Sequence, residues 1–358
     1  MKFKILPLPS KKDFMMLKIH FFCIGLILFS ANILFAQQKK VKVTCIAFYN
    51  CENLYDTIDQ EGVDDTEFTP NGPTNFTSER YFHKIHNLST VISQIGDEFQ
   101  LGGPVLMGLS EIENANVLND LINSDIMKPL NYSFVHFDGP DRRGVDVALL
   151  YRKEHFVVTN SASVRLTIAG KPDFLSRDQL VVSGLLDGDL IHIIVNHWPS
   201  KRGGEKRSAP LRAAAADLTR HLSDSLNAIY PNAKIVIMGD LNDDPIESSL
   251  TKHLKAKSDT LNMVSTDLYN PMYKMYYNQG LGTTAYRDSW NLFDQIIISE
   301  GLLNANKGYK FYSAKIFNRP FLLQKDDRFA GYPLRTYVGT TWMGGYSDHF
   351  PVYTFLVK

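Results

Sequence analysis

Residues 234–245 read "KIVIMGDLNDDP". Four apolar residues, Ile235 to Met238, run without a polar interruption and stop at Gly239, and then Asp240, Asn242, Asp243 and Asp244 come in quick succession. Such a run, bounded by turn formers, reads as a strand buried on both faces. The segment after Gly239 is more acidic than a turn requires. Near the end of the chain "YSDHFPV", residues 346–352, places Asp348 and His349 immediately before another apolar run. One Asp at a strand boundary is ordinary turn or cap chemistry. Here the feature recurs: Asn50 and Glu52 follow "CIAFY", Glu111 follows "LMGLS", His197 follows "HIIVN", and Asp294 sits in "NLFDQIII". If those strand ends converge, they make one site.

Strand candidates are numerous: "VTCIAFYN", "GPVLMGLSE", "YSFVHF", "VDVALLYR", "LVVSGLL", "LIHIIVNHWPS", "LFDQIIIS" and "HFPVYTFLV" join the opening stretch. Helical patterns are fewer, chiefly "YFHKIHNLSTVISQIGDEF" and the Ala-rich "APLRAAAADLTRHLSDSLNAIY", which starts near a Pro. Many strands and few helices predict an α+β protein whose sheets pack on each other, not one doubly wound parallel sheet. Segments 59–78 and 262–286 lack periodicity and read as long surface loops.

The inventory of strand-end residues points to a chemistry. Carboxylates, amides and imidazoles without Cys suit a hard cation, Mg²⁺ or Mn²⁺, better than Zn²⁺. Around such an ion they fit attack by water on a phosphate ester: the cation neutralises non-bridging oxygens, a carboxylate activates the water, and imidazoles stabilise the developing charge. No nucleophilic Ser or Cys is needed.

Taken in order, "AFYNCENLYD", "GLSEIEN", "VNHWPSKRGG", "GDLNDDP", "FDQIIIS" and "YSDHFPV" resemble the motif series of the endonuclease/exonuclease/phosphatase superfamily, from about residue 43 to the C-terminus. The resemblance implies a four-layered αββα sandwich, two mixed β-sheets packed together with helices outside. It also implies roles. Glu111 would be the principal metal ligand, with Asn50 and Glu52 beside it and Asp348 completing the metal neighbourhood. Asp240 would activate the water and Asn242 hold the scissile phosphate. His349 would stabilise the phosphate charge, its ring oriented by Asp294. His197 stands where the deoxyribonuclease and sphingomyelinase branches also have His, whereas the apurinic-endonuclease branch has Tyr.

Further candidates lie nearby. Arg177, in "SRDQLVVSG", is placed to meet a substrate phosphate or to pair with an acid such as Asp178. In "DRRGVDVALLYR", Arg143 is a substrate contact and Asp146 reads as structural. "KRGGEKR" gathers Lys201, Arg202, Lys206 and Arg207 around a Gly pair, a clamp for a polyanion or a solvated charged loop. Tyr269, Tyr273, Tyr276 and Tyr277 crowd one segment and read as caps on a core edge sooner than as a stacking platform. Trp198 and Trp290 read as pocket walls. "KMYY" and "RPFLLQ" are the faint candidates for membrane contact.

Composition narrows the class. The chain has 358 residues, 38 basic and 38 acidic, so the broad basic footprint of a nonspecific nucleic-acid binder is absent and any pull on phosphates is local. At the N-terminus, Lys11, Lys12, Lys18 and His20 precede "FFCIGLILFSANILFA", which ends at Ala36 and turns polar. This resembles a signal peptide over residues 1–36, with Met15 or Met16 as alternative starts, followed by a catalytic domain over 41–358. A retained membrane anchor is the other reading. The only cysteines beyond this leader, Cys45 and Cys51, are too far apart along one strand to pair and read as buried thiols.

The expectation is an exported enzyme, periplasmic or extracellular, hydrolysing a phosphodiester with Mg²⁺ or Mn²⁺. A nuclease is the first choice. A phosphatase or sphingomyelinase-like phospholipase is the alternative, and a catalytically silent binding module the rival from another class. Substrate, with nucleic acid among the candidates, is the one partner expected; no stable protein partner is, and the membrane is met only through the leader.

Overall fold

Alternation along β1 (Val43–Leu54) sorts its side chains into two layers. Cys45, Ala47, Tyr49 and Cys51 pack toward helices, whereas Ile46 and Phe48 face the opposite way into a second apolar cluster. This period of two is what a strand buried on both faces requires. In the computed structural model, which describes residues 11, 12, 15, 16, 41–325 and 328–358, the rest of the fold repeats that logic. The expected leader over residues 1–36 lies almost wholly outside the described residues. Among those described, no helix is long and apolar enough to cross a membrane.

After β1 come α1 (Ser78–Gln94), β2 (Leu106–Ile112), α2 (Ala115–Asn123), β3 (Tyr132–His136), β4 (Asp146–Arg152), β5 (Phe156–Val164), β6 (Gln179–Leu186) and β7 (Asp189–His197). The second half holds α3 (Glu205–Ile229), β8 (Ile235–Asp240), β9 (Ala256–Lys257), β10 (Leu268–Tyr269), α4 (Met272–Gln279), β11 (Thr284–Tyr286), β12 (Ser289–Asn291) and β13 (Asp294–Ser299). It closes with α5 (Glu300–Leu303), β14 (Lys310–Ile316), β15 (Tyr337–Val338), β16 (Thr341–Trp342) and β17 (Val352–Val357). One sheet has the order β14-β17-β1-β2-β4-β3 and the other β5-β6-β7-β8-β13-β10-β9. Both are mixed: β1 pairs parallel with β2 and β7 parallel with β8, while most other neighbours are antiparallel.

Three apolar clusters separate four layers. The first joins β1 and β2 to α1 and α2 through Leu88, Val91, Ile92, Leu118 and Leu121. The second lies between the sheets, with Phe48, Leu149, Val182, Ile193, Met238 and Ile296 from facing strands. The third puts Ile194, Ile235 and Ile237 against Ala215 and Ala216 of α3. Helix, sheet, sheet, helix is the expected sandwich, and residues 43–358 form one compact unit.

Several local expectations are corrected. Segment 262–286 is no loop: it contains β10, α4 and β11. Asn270 organises it, its Nδ2 donating to Gln295 Oε1 at 2.7 Å and its Oδ1 accepting from Met272 N at 3.0 Å. α3 begins at Glu205, five residues before Pro210, so Lys206 and Arg207 are on its first turn instead of in a flexible clamp. "KMYY" is helical, in α4, with Tyr277 exposed, whereas Phe321, Leu322 and Leu323 of "RPFLLQ" pack on the first cluster. Cys45 and Cys51 are buried free thiols, as expected.

Candidate active site

The strand ends converge because their registers place them side by side. Asp240, last residue of β8, is paired with His197 at the end of β7 and with Asp294 at the start of β13. Gly239 makes this close approach: a Cβ there would lie 2.3 Å from the Asn196 carbonyl oxygen. The first sheet reaches the same place from the other side. Asn50, on β1, donates from Nδ2 to Asp240 Oδ2 at 3.0 Å, across 190 residues of chain.

Both acidic residues from the first sheet leave it at irregularities. The β1–β2 ladder shifts between Asn50 and Leu54, and the β2–β4 ladder between Ser110 and Ile112. Glu52, Asn53 and Glu111 all have positive φ, at 49°, 57° and 59°. Left-handed backbone is costly for residues with a Cβ, and it aims these side chains out of the sheet. Glu111 Oε2 accepts from Asn53 N at 2.8 Å; its Oε1 faces His197 Nε2 at 3.9 Å, too far for a hydrogen bond. Asn114 of the "GLSEIEN" motif has a local task, capping α2 through the N–H groups of Asn116 and Val117.

His349 and Asp294 form the tightest pair, with Nδ1 2.6 Å from Oδ2. An ionised carboxylate only accepts, so the proton is on Nδ1 and Nε2 is left for the cavity. Burial pulls the His349 ring down, but the Asp294 carboxylate, with Asp348 and Asp240 nearby, overrides it and holds the imidazole well above 6.5. Ser347 braces the turn, donating to Asn50 O at 2.7 Å and accepting from His349 N at 3.1 Å. His197 behaves oppositely. Burial, with Arg177, Arg143 and His349 around it, holds it well below 6.5, and its buried Nδ1 has no partner.

Asp240 is pushed up to about 7 by burial and by Asp294 and Glu111, against the pull of His349 and the Asn242 N–H. Asn242, with φ 51°, donates from Nδ2 to Trp198 O at 3.0 Å. Glu111, His197, Asp240, Asn242 and His349 line one cavity of about 420 Å³, shared with Arg142, Arg143, Arg177 and Arg202. Arg143 and Arg202 also line an adjoining hollow of about 440 Å³ with Glu52, Tyr55, Phe68 and Arg335.

Some candidates are placed differently from expectation. Arg177 does pair with an acid, as one of its two readings had it, but the acid is Asp141 at 3.1 Å and the pair is buried, while the guanidinium also donates to the carbonyls of His197 and Trp198 at 3.2 and 2.6 Å. Lys201 is drawn away to Asp243 at 3.4 Å and lies over the Phe293 ring. Glu52 and Asp348 meet a cation of the chain itself, Arg335, at 3.5 and 2.6 Å. Glu52 Oε2 also accepts from Thr336 N at 2.6 Å. Trp198 is buried with Nε1 on Asn196, and Trp290 stacks on Phe350, so neither walls the cavity. Of the tyrosines, Tyr276 reaches Asp244 and Tyr269 packs on Phe311.

Arg335, Lys84 and Asp141 were not anticipated. Lys84 is fully buried and donates to Thr336 Oγ1 at 2.7 Å. A signal existed: it sits within the buried stripe Tyr81, Ile85, Leu88, Ile92 of α1, where a Lys is out of place. Arg335 and Asp141 carry no local mark.

Acidic and imidazole clusters that could hold a metal ion are present. Among the described residues, Asp240, Asp294 and His349 each offer a ligand atom within 4.8 Å of the others, and so do His136, Asp138 and Asp146. Glu52, Glu111 and Asp348 do not form such a threesome among the described residues, and Arg335 pairs with both Glu52 and Asp348.

The model of the endonuclease/exonuclease/phosphatase family matches residues 45–358. No curated protein matches the chain. Among solved structures, TDP2 of Caenorhabditis elegans is 13% identical with a TM-score of 0.54, over 92% of this chain and 80% of that one. D. rerio TDP2 complexed with a single-strand DNA product is 12% identical with a TM-score of 0.53, over 88% and 99%. The mannosyl-6-phosphatase Bt3783 of Bacteroides thetaiotaomicron is 16% identical with a TM-score of 0.51, over 88% and 100%. Such low identities establish the fold they share.

Proposed function

Because the chain belongs to the endonuclease/exonuclease/phosphatase family, whose members share a phosphoesterase fold, we propose that it is a divalent-metal-dependent phosphoric ester hydrolase that cuts a phosphodiester by direct attack of water. The observation that carries this reading is that Glu111, His197, Asp240 and His349, from two sheets, line one cavity, with Asn50 bonded to Asp240 and Asp294 to His349 behind them.

Each residue has a task there. Asp240, raised toward neutrality, takes the proton of the attacking water, and Asn50 fixes the carboxylate's orientation. His349, charged at neutral pH, presents Nε2–H to a phosphate oxygen, and Asp294, bonded to Nδ1, orients the ring and sustains its charge. Asn242 holds a second phosphate oxygen. Arg177, on the cavity wall, ties the carbonyls of His197 and Trp198 in place. Glu111 Oε1, lacking a close donor, suits a hard cation; Mg²⁺ or Mn²⁺ there would neutralise the phosphate.

A nuclease is the form we favour. The adjoining hollow shares Arg143 and Arg202 with the catalytic cavity, two cations that would meet a substrate continuing past the scissile phosphate. TDP2 from D. rerio was crystallised with a DNA product. The zero net charge favours a second reading, a small phosphate ester, such as the mannosyl-6-phosphatase neighbour's name indicates for that protein. A panel of single- and double-stranded DNA, RNA, sphingomyelin and sugar phosphates, assayed with Mg²⁺ and with EDTA, separates them. Hydrolysis of none of these by metal-loaded protein would overturn the enzyme reading.

We also propose that residues 1–36 direct export and are removed, leaving 41–358 as the catalytic domain outside the cytoplasm. N-terminal sequencing of the mature protein tests this, and an intact Met1, Met15 or Met16 terminus would refute it.

A further inference from the structure

His136 closes β3 and Asp146 opens β4, and the loop between them carries Asp141, Arg142 and Arg143 into the catalytic cavity. His136 is paired with Ala148 in the ladder. Continuing that register sets Asp138 opposite Asp146, so three potential ligands ring the neck of an active-site loop.

The His136 side chain is 3% exposed, and its Nε2 has no hydrogen-bond partner. Leaving a buried imidazole nitrogen unpaired is costly. That nitrogen faces Asp146 Oδ2 at 3.6 Å, on a side chain 7% exposed, and Nδ1 lies 3.9 Å from Asp138 Oδ1. Both separations exceed hydrogen-bond range. The first is close to the spacing of about 3.4 Å between two ligands bound tetrahedrally at about 2.1 Å to one ion, and His136, Asp138 and Asp146 each offer one ligand atom within 4.8 Å of the other two. Gly139 makes room for the carboxylate: its N–H donates to Asp146 Oδ2 at 3.1 Å, and a Cβ there would lie 2.4 Å from Oδ1.

We propose that His136, Asp138 and Asp146 form a divalent-cation site, separate from the phosphoesterase centre, that clamps the neck of the 137–145 loop. One imidazole and two carboxylates, with water completing the shell, suit a borderline first-row ion such as Zn²⁺ better than Mg²⁺. Asp138, 87% exposed, is the ligand whose position the ion would fix. Its capture holds the loop that presents Arg143 to the cavity and Asp141 to Arg177.

The test uses the full chain, stripped with chelator, reloaded with Zn²⁺ and freed of excess. Metal analysis should find one equivalent more in the wild type than in His136→Gln or Asp138→Ala, and Glu111→Gln should retain that equivalent. Hydrogen exchange in residues 137–145 should slow by at least about tenfold with Zn²⁺ in the wild type and not in either variant. Asp138 is at the surface, so Asp138→Ala keeps the test informative if His136→Gln fails to fold. Wild-type zinc content in Asp138→Ala, or exchange in this loop that ignores Zn²⁺, would overturn the proposal.

Discussion

Lys84 Nζ and Thr336 Oγ1 are 2.7 Å apart across 252 residues, which ties α1 to the segment that presents Arg335 to Glu52 and Asp348. Burial lowers the Lys84 amine, while Glu52, Cys51 and Asp348 oppose the shift. Burial and Asp348 push Glu52 up to about 7, against Lys84 and Arg335. The group is one buried network, and its members should not act independently.

Lys84→Met should therefore destabilise the protein by about 3 kcal/mol, since it takes the buried donor from the Thr336 hydroxyl and removes one of the two cations that oppose the charge of Glu52. Glu52→Gln in the same background should recover part of that loss. Urea denaturation of the two single variants and the double measures the coupling; simple additivity would dissolve the network.

Asp294→Asn should lower kcat by about 10²- to 10⁴-fold with little change in fold, because the amide no longer enforces the His349 tautomer. The pH profile carries a sign. His349 is held above its ordinary value, so the charged ring survives at neutral pH and activity is lost as pH rises through that raised value. In Asp294→Asn this alkaline limb should move to lower pH. A limb that stays in place on bis-p-nitrophenyl phosphate would assign it to another group.

Glu111→Gln should weaken binding of Mn²⁺ to the catalytic centre by at least about tenfold, whereas Arg335→Ala should leave it equal or stronger, since it frees Asp348. Isothermal titration of the stripped protein reads both. If Glu111→Gln binds like the wild type, Glu111 is not the principal ligand.

His192 provides an acid-sensitive stability. Burial lowers its ring from 6.5 to about 4, and its Nδ1 shares a hydrogen bond with Ser183 Oγ at 2.7 Å. Between those values the unfolded chain takes up a proton that the folded ring refuses, so stability falls as pH drops from 6.5 toward 4. In His192→Gln this part of the pH dependence should vanish, seen as a smaller difference in urea midpoint between pH 7 and pH 5.

Much of the architecture was written locally. The period-two alternation of β1 and the unbroken apolar runs of β7, β8 and β13 can satisfy their side chains only inside stacked sheets, and these strands are found between helical layers. The site residues were legible for a related reason: Asn50, Glu111, His197, Asp240, Asp294 and His349 each break an apolar run at its end, where a polar side chain has to face out of the core. Helix limits were less so, since Gly204 starts α3 well before Pro210.

By itself, then, the amino-acid order determined nine of the strands, though not β5 or β14, which strand ends carry acids, amides and imidazoles, and which family's motif series they compose. Tertiary packing decided their partners. Nothing near Glu52 announces Thr336, 284 positions away, nor does anything near Asp348 single out Arg335 over the other cations of the chain. Hydrophobic periodicity is a property of neighbours along the chain, whereas an ion pair depends on which side chains the packed sheets and their connecting segments bring within a few ångströms. That is why Glu52 and Asp348, acidic residues in the right motifs, are found facing an arginine.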